Sequence, residues 1–230
     1  MKIAVLGFDL PLGKIKYQDS RLLAIEKKSS PKKTHPFFVE FVSDLKSADA
    51  VVSSKDRSLD LFIPDLERIE KRLTSAEEAE KDFLKRCCEI LEKEVPLREG
   101  GFSPQELTLL RNLGLLTLKP TLILETLPQD LNQLIVQVFN KAGVIFFYTL
   151  AKLELKSWLI EADTPIVKAA EKIHSDLAKG FIKAEVINFD DFIKVHNLEE
   201  AKTKGLVKVV GKDYIVKDGD ILEIKFKVQK

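Results

Sequence analysis

The chain has 230 residues, of which 45% are hydrophobic and 32% charged. This composition is typical of a folded globular protein, and no apolar run approaches the ~20 residues that a membrane helix needs. The formal net charge of +1 gives no bulk electrostatic support for nucleic-acid binding. Residues 2–7 lack the long apolar region and cleavage site of a signal peptide, so we expect a cytoplasmic protein with no membrane contact.

Three short runs rich in Ile, Val and Phe predict buried strands at residues 2–7, 37–42 and 121–124. Helical stretches separate these runs along the chain. Strands alternating with helices are the pattern of an α/β sheet. The length of the chain leaves room for a second core, because single cores rarely outgrow about 250 residues and usually hold about 100 to 150.

A charged amphipathic pattern starts at Pro64 and predicts a helix. Ser75 and Glu78 have the S-x-x-E spacing of a capping box that would open a second helix. Two helices joined by a tight turn predict a protruding helical arm over residues 64–100. Ser103 followed by proline then predicts the start of another helix.

A second unit is predicted from residue 144. Residues 144–150 and 153–160 can pair as a hairpin, and a helix would follow from Thr164-Pro165 to about His174. Later runs alternate like strands, and the last of them is expected to point inward at Leu222, Ile224, Phe226 and Val228. A hairpin, a crossing helix and further strands describe a β-grasp-like domain.

Two adjacent cysteines, Cys87 and Cys88, lie in the helical pattern of the arm. Adjacent cysteines are poorly placed to join two elements or to chelate a metal, so we expect inert thiols. No Ser/His/Asp or Cys/His arrangement and no metal-ligand spacing is apparent.

The C-terminal segments HSDLAKGFIKAEVI (residues 174–187) and GKDYIVKDGD (residues 211–220) resemble the TGS domain that ends the Obg-like ATPases of the YchF family. Upstream, LGLLTLKP (residues 113–120) is similar to the entry to that family's base-recognition loop. DLERIEKRL (residues 65–73) is similar to the start of its helical arm, and residues 31–42 to its second sheet strand. Family members are longer, so the resemblance implies that pieces are missing.

The resemblance implies an α/β protein, α+β overall, made of three parts. A remnant P-loop-type sheet would occupy residues 1–63 and 101–143, the helical arm residues 64–100, and the β-grasp TGS domain residues 144–230. TGS domains occur in translation and stress-response proteins, which implies the ribosome, RNA or a regulatory protein as a possible partner.

The phosphate-binding loop of this family is expected near the N-terminus. A P-loop needs G-x-x-x-x-G-K-[ST], because its amides cradle phosphate and its hydroxyl holds Mg²⁺. Here Gly7 and Gly13-Lys14 enclose five residues instead of four, and Ile15 replaces the hydroxyl. In the favoured alignment Gly13 and residues 19–22 lie on the family strand after switch I, and residues 7–14 are a deletion joint. In the alternative, Gly7, Gly13 and Lys14 bind ATP or GTP with Mg²⁺ as an irregular P-loop.

Two further nucleotide elements depart from the family pattern. Where the family has the D-x-x-G of switch II, this chain has Ser43-Asp44 and then passes to what resembles the next strand at Ala48. At the N-x-x-E base-recognition motif the aligned residues are Thr126 and Gln129, which cannot supply the same hydrogen bonds. The resemblance therefore implies a degenerate nucleotide site with no bound cofactor.

Three residues at the head of the TGS signature, His174, Asp176 and Lys179, are candidate contacts for a ligand or partner. The competing interpretation is structural, since a histidine at a helix end usually caps the helix. The function we expect is a non-enzymatic binding or adaptor protein. The alternative is an ATP- or GTP-hydrolysing enzyme.

Overall fold

The computed structural model describes residues 1–151 and 153–227, which form two compact units. The first unit contains Met1–Ile15 and Val39–Ala142, and the second contains Lys16–Phe38 and the chain from Gly143 onward. This division departs from the expected boundaries, because Lys16–Phe38 was assigned to the first core from sequence. The arm is not a unit of its own either. Positions 152 and 228–230 of the predicted C-terminal domain, including Val228, lie outside the described residues.

The strands follow one another along the chain as β1 (Lys2–Leu6), β2 (Gly13–Lys16), β3 (Lys33–His35), β4 (Phe38–Val42), β5 (Ala50–Ser54), β6 (Thr121–Leu124), β7 (Val144–Leu150), β8 (Glu154–Glu161), β9 (Phe181–Asn188), β10 (Lys208–Val210) and β11 (Asp220–Phe226). The helices are α1 (Ser20–Ser29), α2 (Leu59–Thr74), α3 (Glu78–Glu92), α4 (Pro104–Asn112), α5 (Leu131–Ala142), α6 (Ile166–Ile173), α7 (Ser175–Lys179), α8 (Phe189–Ile193) and α9 (Leu198–Thr203). No helix among the described residues is long and apolar enough to cross a membrane.

The first sheet has five strands in the order β2-β4-β1-β5-β6. β1 is parallel to β4 and β5, and β5 is parallel to β6, so the carboxyl ends of these four strands lie at one edge. Ile3, Val39 and Val51 are fully buried, as expected for central parallel strands covered on both faces. The three strands predicted in this region are therefore confirmed.

Two connections in this sheet are unusually short. Six residues from Gly7 to Leu12 join β1 to β2, and seven residues from Ser43 to Asp49 join β4 to β5. Neither of these fully described connections contains a helix. β4 and β5 both run parallel to β1, and parallel strands are usually joined by a dozen or more residues that include a helix.

The arm helices α2 and α3 share an apolar core with α4, centred on Ile69, Leu84 and Leu110. Two expectations for this region are wrong. Helix α2 begins at Leu59 and contains Pro64 in its interior. The Ser75 hydroxyl donates to the Arg72 carbonyl of α2, so it does not cap α3, whose N-cap has no side-chain hydrogen bond.

Helix α4 starts as predicted, with a complete capping box. The Glu106 amide donates to the Ser103 hydroxyl at 3.3 Å, and the Ser103 amide donates to the Glu106 carboxylate at 2.7 Å. Two otherwise unpaired amides of the first turn are thereby satisfied.

The second sheet has six strands in the order β10-β9-β11-β7-β8-β3. β7 and β8 form the predicted hairpin, β11 runs parallel to β7, and α6 packs on a face built from Phe147, Ala184 and Leu222. This is the β-grasp arrangement that the sequence predicted. Phe226 is a local exception, since it is 41% exposed near the end of β11 where the register shifts.

Residues 16–38 complete this second sheet. β3 adds in parallel to β8 at its edge, with Thr34 opposite Leu155. Helix α1 buries Leu22 and Ile25 in the same unit. The favoured alignment placed residues 19–22 on a strand, but Asp19 is the N-cap of α1 and the helix begins at Ser20.

Candidate nucleotide site

Nucleotides bind to parallel α/β sheets at the carboxyl ends of the strands. At this edge Gly7 follows β1 with φ of +78°, a conformation that favours glycine. A Cβ atom at this position would lie 1.8 Å from the Ser54 hydroxyl at the end of β5. Close packing between two strand ends therefore accounts for Gly7 without a phosphate.

Gly13 and Lys14 stand in strand β2, where Lys14 is exposed. Gly13 has φ of +111° and nothing within 4 Å of where a Cβ would lie. A P-loop holds phosphate with amides at the start of a helix, and no helix begins within the described stretch from Gly7 to Lys16. The structure does not bring Gly7, Gly13 and Lys14 together in that geometry.

The N-terminus of the next helix along the chain, α1, is already capped by a carboxylate of the protein itself. The Asp19 carboxylate accepts the Arg21 amide at 3.0 Å and the Tyr148 hydroxyl at 2.6 Å. Asp19 is only 3% exposed. A buried carboxylate at a helix N-terminus takes the place that an anionic ligand would need.

Asp44, the acid that follows β4, closes a turn. Its carboxylate accepts the amides of Lys46 and Ser47 at 3.0 and 3.2 Å. The hydrogen bond with the Ser47 side chain, followed by that with the Lys46 amide, lowers the pKa of Asp44. Lys119 ties down the same turn by donating to the carbonyls of Leu45, Lys46 and Ala48 at 2.6–2.7 Å. The Asp44 carboxylate thus acts as a hydrogen-bond acceptor within its own turn.

The loop between β6 and α5 carries the residues aligned with the base-recognition motif. Thr126 and Gln129 are both exposed. The carboxylate of Asp130, the next acid, accepts the Asn132 amide at 2.9 Å at the start of α5. The loop therefore has the expected position in the sheet. Its Asp130 carboxylate accepts a hydrogen bond from the first turn of the following helix, α5.

His174 and Asp176, the candidate contacts in the second unit, form the start of α7. The His174 Nδ1 accepts the Asp176 amide at 3.2 Å, and both side chains are about two-thirds exposed. The structural interpretation of His174 as a cap describes this geometry. Lys179 ends the same helix and is exposed.

Sequence reasoning missed a polar network inside the second unit. Arg21 donates to both oxygens of Asp218, at 2.6 and 3.1 Å, and Asp218 also accepts the Phe146 amide at 2.9 Å. Burial, followed by the nearby Asp19, raises the pKa of Tyr148, which keeps its hydroxyl protonated as a donor. The partners are 129 and 197 positions apart in the chain, so no local pattern indicates them.

The two cysteines lie on α3. Cys87 is fully buried in the arm core, and Cys88 is partly buried. Burial raises the pKa of Cys87 to about 12, so its thiol stays protonated and weakly nucleophilic at neutral pH.

Three comparisons with known proteins agree on one family. The family model described as "YchF-GTPase_C: Protein of unknown function (DUF933)" matches residues 144–227. "Ribosome-binding ATPase YchF" of Mycoplasma genitalium is 39% identical over 98 residues, which cover 43% of this chain and 27% of the relative. The protein of the same name from Escherichia coli O157:H7 is 27% identical, with 71% of this chain and 61% of the relative covered.

The fold comparison extends over nearly the whole chain. The structure of the Schizosaccharomyces pombe YchF GTPase superposes with a TM-score of 0.79 at 19% identity, covering 95% of this chain and 88% of that one. At this identity the match shows the fold, and it supports the two-sheet α/β architecture.

The chain spans less than two thirds of the Escherichia coli O157:H7 relative. The alignment is 220 positions long, but 71% of this 230-residue chain is only about 163 residues, which leaves about 57 positions with no residue from this chain. The relative therefore carries segments that this chain lacks within the matched region. Residues 144–227 thus match the C-terminal model of the YchF family, and the chain as a whole is similar in sequence and fold to YchF proteins of the Obg-like ATPase family.

Proposed function

We propose that this protein is a non-enzymatic adaptor that contacts the ribosome, an RNA or a regulatory protein through its C-terminal β-grasp unit, a TGS domain, and its helical arm. The observation that carries the proposal is the helix-free connection from β1 to β2, which places Lys14 in an exposed strand. Phosphoryl transfer depends on positioning and electrostatic stabilisation by such loops, and this connection offers no amide cradle.

The ribosome as partner is supported by the relatives, which are named ribosome-binding ATPases. A sheet can lose its ligand loops and keep its core, because loops contribute little of the apolar burial. The binding surfaces of the β-grasp unit and the arm would then persist without nucleotide chemistry.

The second candidate is an ATP or GTP hydrolase with an irregular site at Gly7, Gly13 and Lys14. The names of the relatives favour it. It requires residues 7–14 to rearrange into a phosphate-binding loop when nucleotide and Mg²⁺ are present.

Isothermal titration with ATP or GTP and Mg²⁺ separates the two functions. We expect no binding at micromolar affinity. Lys14→Ala is the test variant, and Lys16→Ala, an exposed lysine of the same strand, is its matched control. Micromolar binding that Lys14→Ala abolishes and Lys16→Ala leaves intact would contradict the deletion-joint alignment and favour the hydrolase candidate.

Co-sedimentation with ribosomes tests the adaptor. Because the arm shares its core with α4, charge reversal at exposed positions is safer than deletion of the arm. We expect Lys71→Glu on α2 and Lys183→Glu on β9 each to weaken co-sedimentation at low salt, and the difference from the unmodified chain to shrink as the salt concentration rises. If both variants co-sediment with ribosomes as fully as the unmodified chain, neither the arm nor this sheet face contributes to the interface.

A further inference from the structure

A concave groove of about 470 Å³ lies at the opposite end of the first sheet from the nucleotide edge. Its residues precede β6, and Lys119 in its wall binds the turn that precedes β5. The side chains that form it are Arg98, Leu107, Arg111, Leu115, Leu118 and Lys119. Three cations thus share a small cavity with three leucines.

The groove has an excess of positive charge. None of the described lining residues is acidic. Arg68 adds a further cation, since it donates at 2.8 Å to the carbonyl of Gly114 in the groove wall. The acid nearest to Arg68 is Asp65, at 3.6 Å, and it is fully buried and bonded to the amides of residues 116 and 117.

Two arginines keep hydrogen-bond donors free for a ligand. Arg111 is exposed on α4; its carbonyl accepts the Gly114 amide at 3.2 Å, but its guanidinium makes no hydrogen bond or ion pair to any described residue. Arg98 uses one N–H on the Ala142 carbonyl at 3.1 Å and retains its others. Lys119, in contrast, has its three donors on backbone carbonyls, so it contributes charge rather than hydrogen bonds.

We propose that this groove binds a small organic phosphate, whose phosphate group lies on Arg98 and Arg111 and whose body lies on the three leucines. The planar guanidinium fork matches the oxygens of a phosphate better than a lysine does. The volume falls in the range of about 300 to 1,000 Å³ that is usual for small-molecule sites.

The shape of the groove favours a small molecule over a nucleic-acid chain. Single-stranded nucleic acids bind along open basic surfaces on which bases stack against aromatic rings. None of the described lining residues of this groove is aromatic. The site is separate from Gly7 and Lys14, so it stands independently of the function proposed above.

Isothermal titration of the full chain without Mg²⁺ tests this site, with AMP, adenosine, inorganic phosphate and a single-stranded RNA as probes. We expect AMP to bind with a Kd of about 0.1 mM, adenosine not to bind, and inorganic phosphate to bind more weakly than AMP. Arg111→Gln and Arg98→Gln should each weaken AMP binding at least tenfold. Arg57→Gln, an exposed arginine outside the groove, is the matched control.

Several results would overturn the proposal. The proposal fails if AMP does not bind at concentrations up to about 10 mM, or if adenosine binds as tightly as AMP. It also fails if RNA is the only probe that binds. AMP binding that is lost with Lys14→Ala but kept with Arg111→Gln would place the ligand at the carboxyl edge instead. Arg111→Gln is expected to unfold at the same urea concentration as the unmodified chain, which separates lost binding from lost folding. Arg111→Lys should restore only part of the affinity.

Discussion

The two edges of the first sheet are built differently. At the carboxyl edge, β1 and β4 lead into short connections without helices, and Thr126 and Gln129 are exposed. At the amino edge, the buried Asp65 and the partly buried Lys119 each make three hydrogen bonds to neighbouring segments. The edge where a nucleotide would bind, called the plain edge below, has short connections and exposed polar contacts such as that of Lys55 with Glu94 at 2.6 Å, whereas the opposite edge is held by buried or partly buried polar anchors.

The difference shows where the stability of this unit resides. Ligand loops can be shortened when the strands are covered by helices and the opposite edge is fixed by satisfied buried polar groups. The comparison would fail if changes at the plain edge cost more stability than changes at the anchored one.

The largest effect is expected at Asp65. Asp65→Ala would leave the amides of Leu116 and Thr117 and the Thr117 hydroxyl without an acceptor in a buried place. We expect a loss of about 3 kcal/mol in the free energy of unfolding, measured by urea denaturation. Asp60→Ala, on the exposed side of the same helix, should cost less than about 1 kcal/mol. Equal losses would show that the amino edge is not anchored as described.

A smaller effect is expected at Gly7. The Cβ of Gly7→Ala would collide with Ser54, so we expect a loss of about 2 kcal/mol. Gly13→Ala meets only backbone strain and should cost about 1 kcal/mol. In a Ser54→Gly background, the amount by which Gly7→Ala costs more stability than Gly13→Ala should fall, as a double-mutant cycle would show. An unchanged excess would mean that the collision is not the cause.

The next effect concerns the buried polar network of the other unit. Tyr148→Phe removes the donor that faces the buried Asp19 carboxylate. We expect a loss of about 1.5 kcal/mol in the free energy of unfolding. In an Asp19→Asn background the same change should cost less, because no buried charge then lacks its donor.

The smallest effect is a titration at the start of α4, the helix that carries Leu107 and Arg111. Hydrogen bonds from the Ser103 amide and hydroxyl, followed by Arg86 at 2.6 Å, lower the pKa of Glu106 below its ordinary 4.5. A carboxyl with a lowered pKa stabilises the fold above its ordinary pKa, and this contribution disappears as pH falls through the lowered value. NMR titration of Arg86→Gln should show the pKa of Glu106 moving up toward 4.5, whereas Thr108→Ala should leave it unchanged.

The sequence predicted elements better than long-range partners. Strands β1, β4 and β6 and the start of α4 at Ser103 and Pro104 were predictable because each depends on neighbouring residues. The β-grasp order followed from the hairpin and the alternating strands. The start of α2 before Pro64 was missed because proline signals a helix start more often than it lies inside one.

The candidate site was harder to predict. The spacing of Gly7, Gly13 and Lys14 is close to a phosphate-loop motif, and only the fold shows that β2 follows directly. The membership of residues 16–38 in the second unit depends on pairs such as Arg21 and Asp218, which are 197 positions apart. A single sequence does not contain that information.

The discontinuity of the second unit bears on how the chain folds as it is synthesised. Residues 16–38 emerge early, but the strands and helices they pack against begin only at Gly143, after a further 104 residues have been added. At about 5 to 20 residues per second, this delay is about 5 to 20 s. Through that interval α1 has an apolar face with no partner, and the edge strand β3 has nothing to pair with. The order of synthesis thus leaves an early segment open to chaperones or to wrong pairing until the C-terminal unit appears.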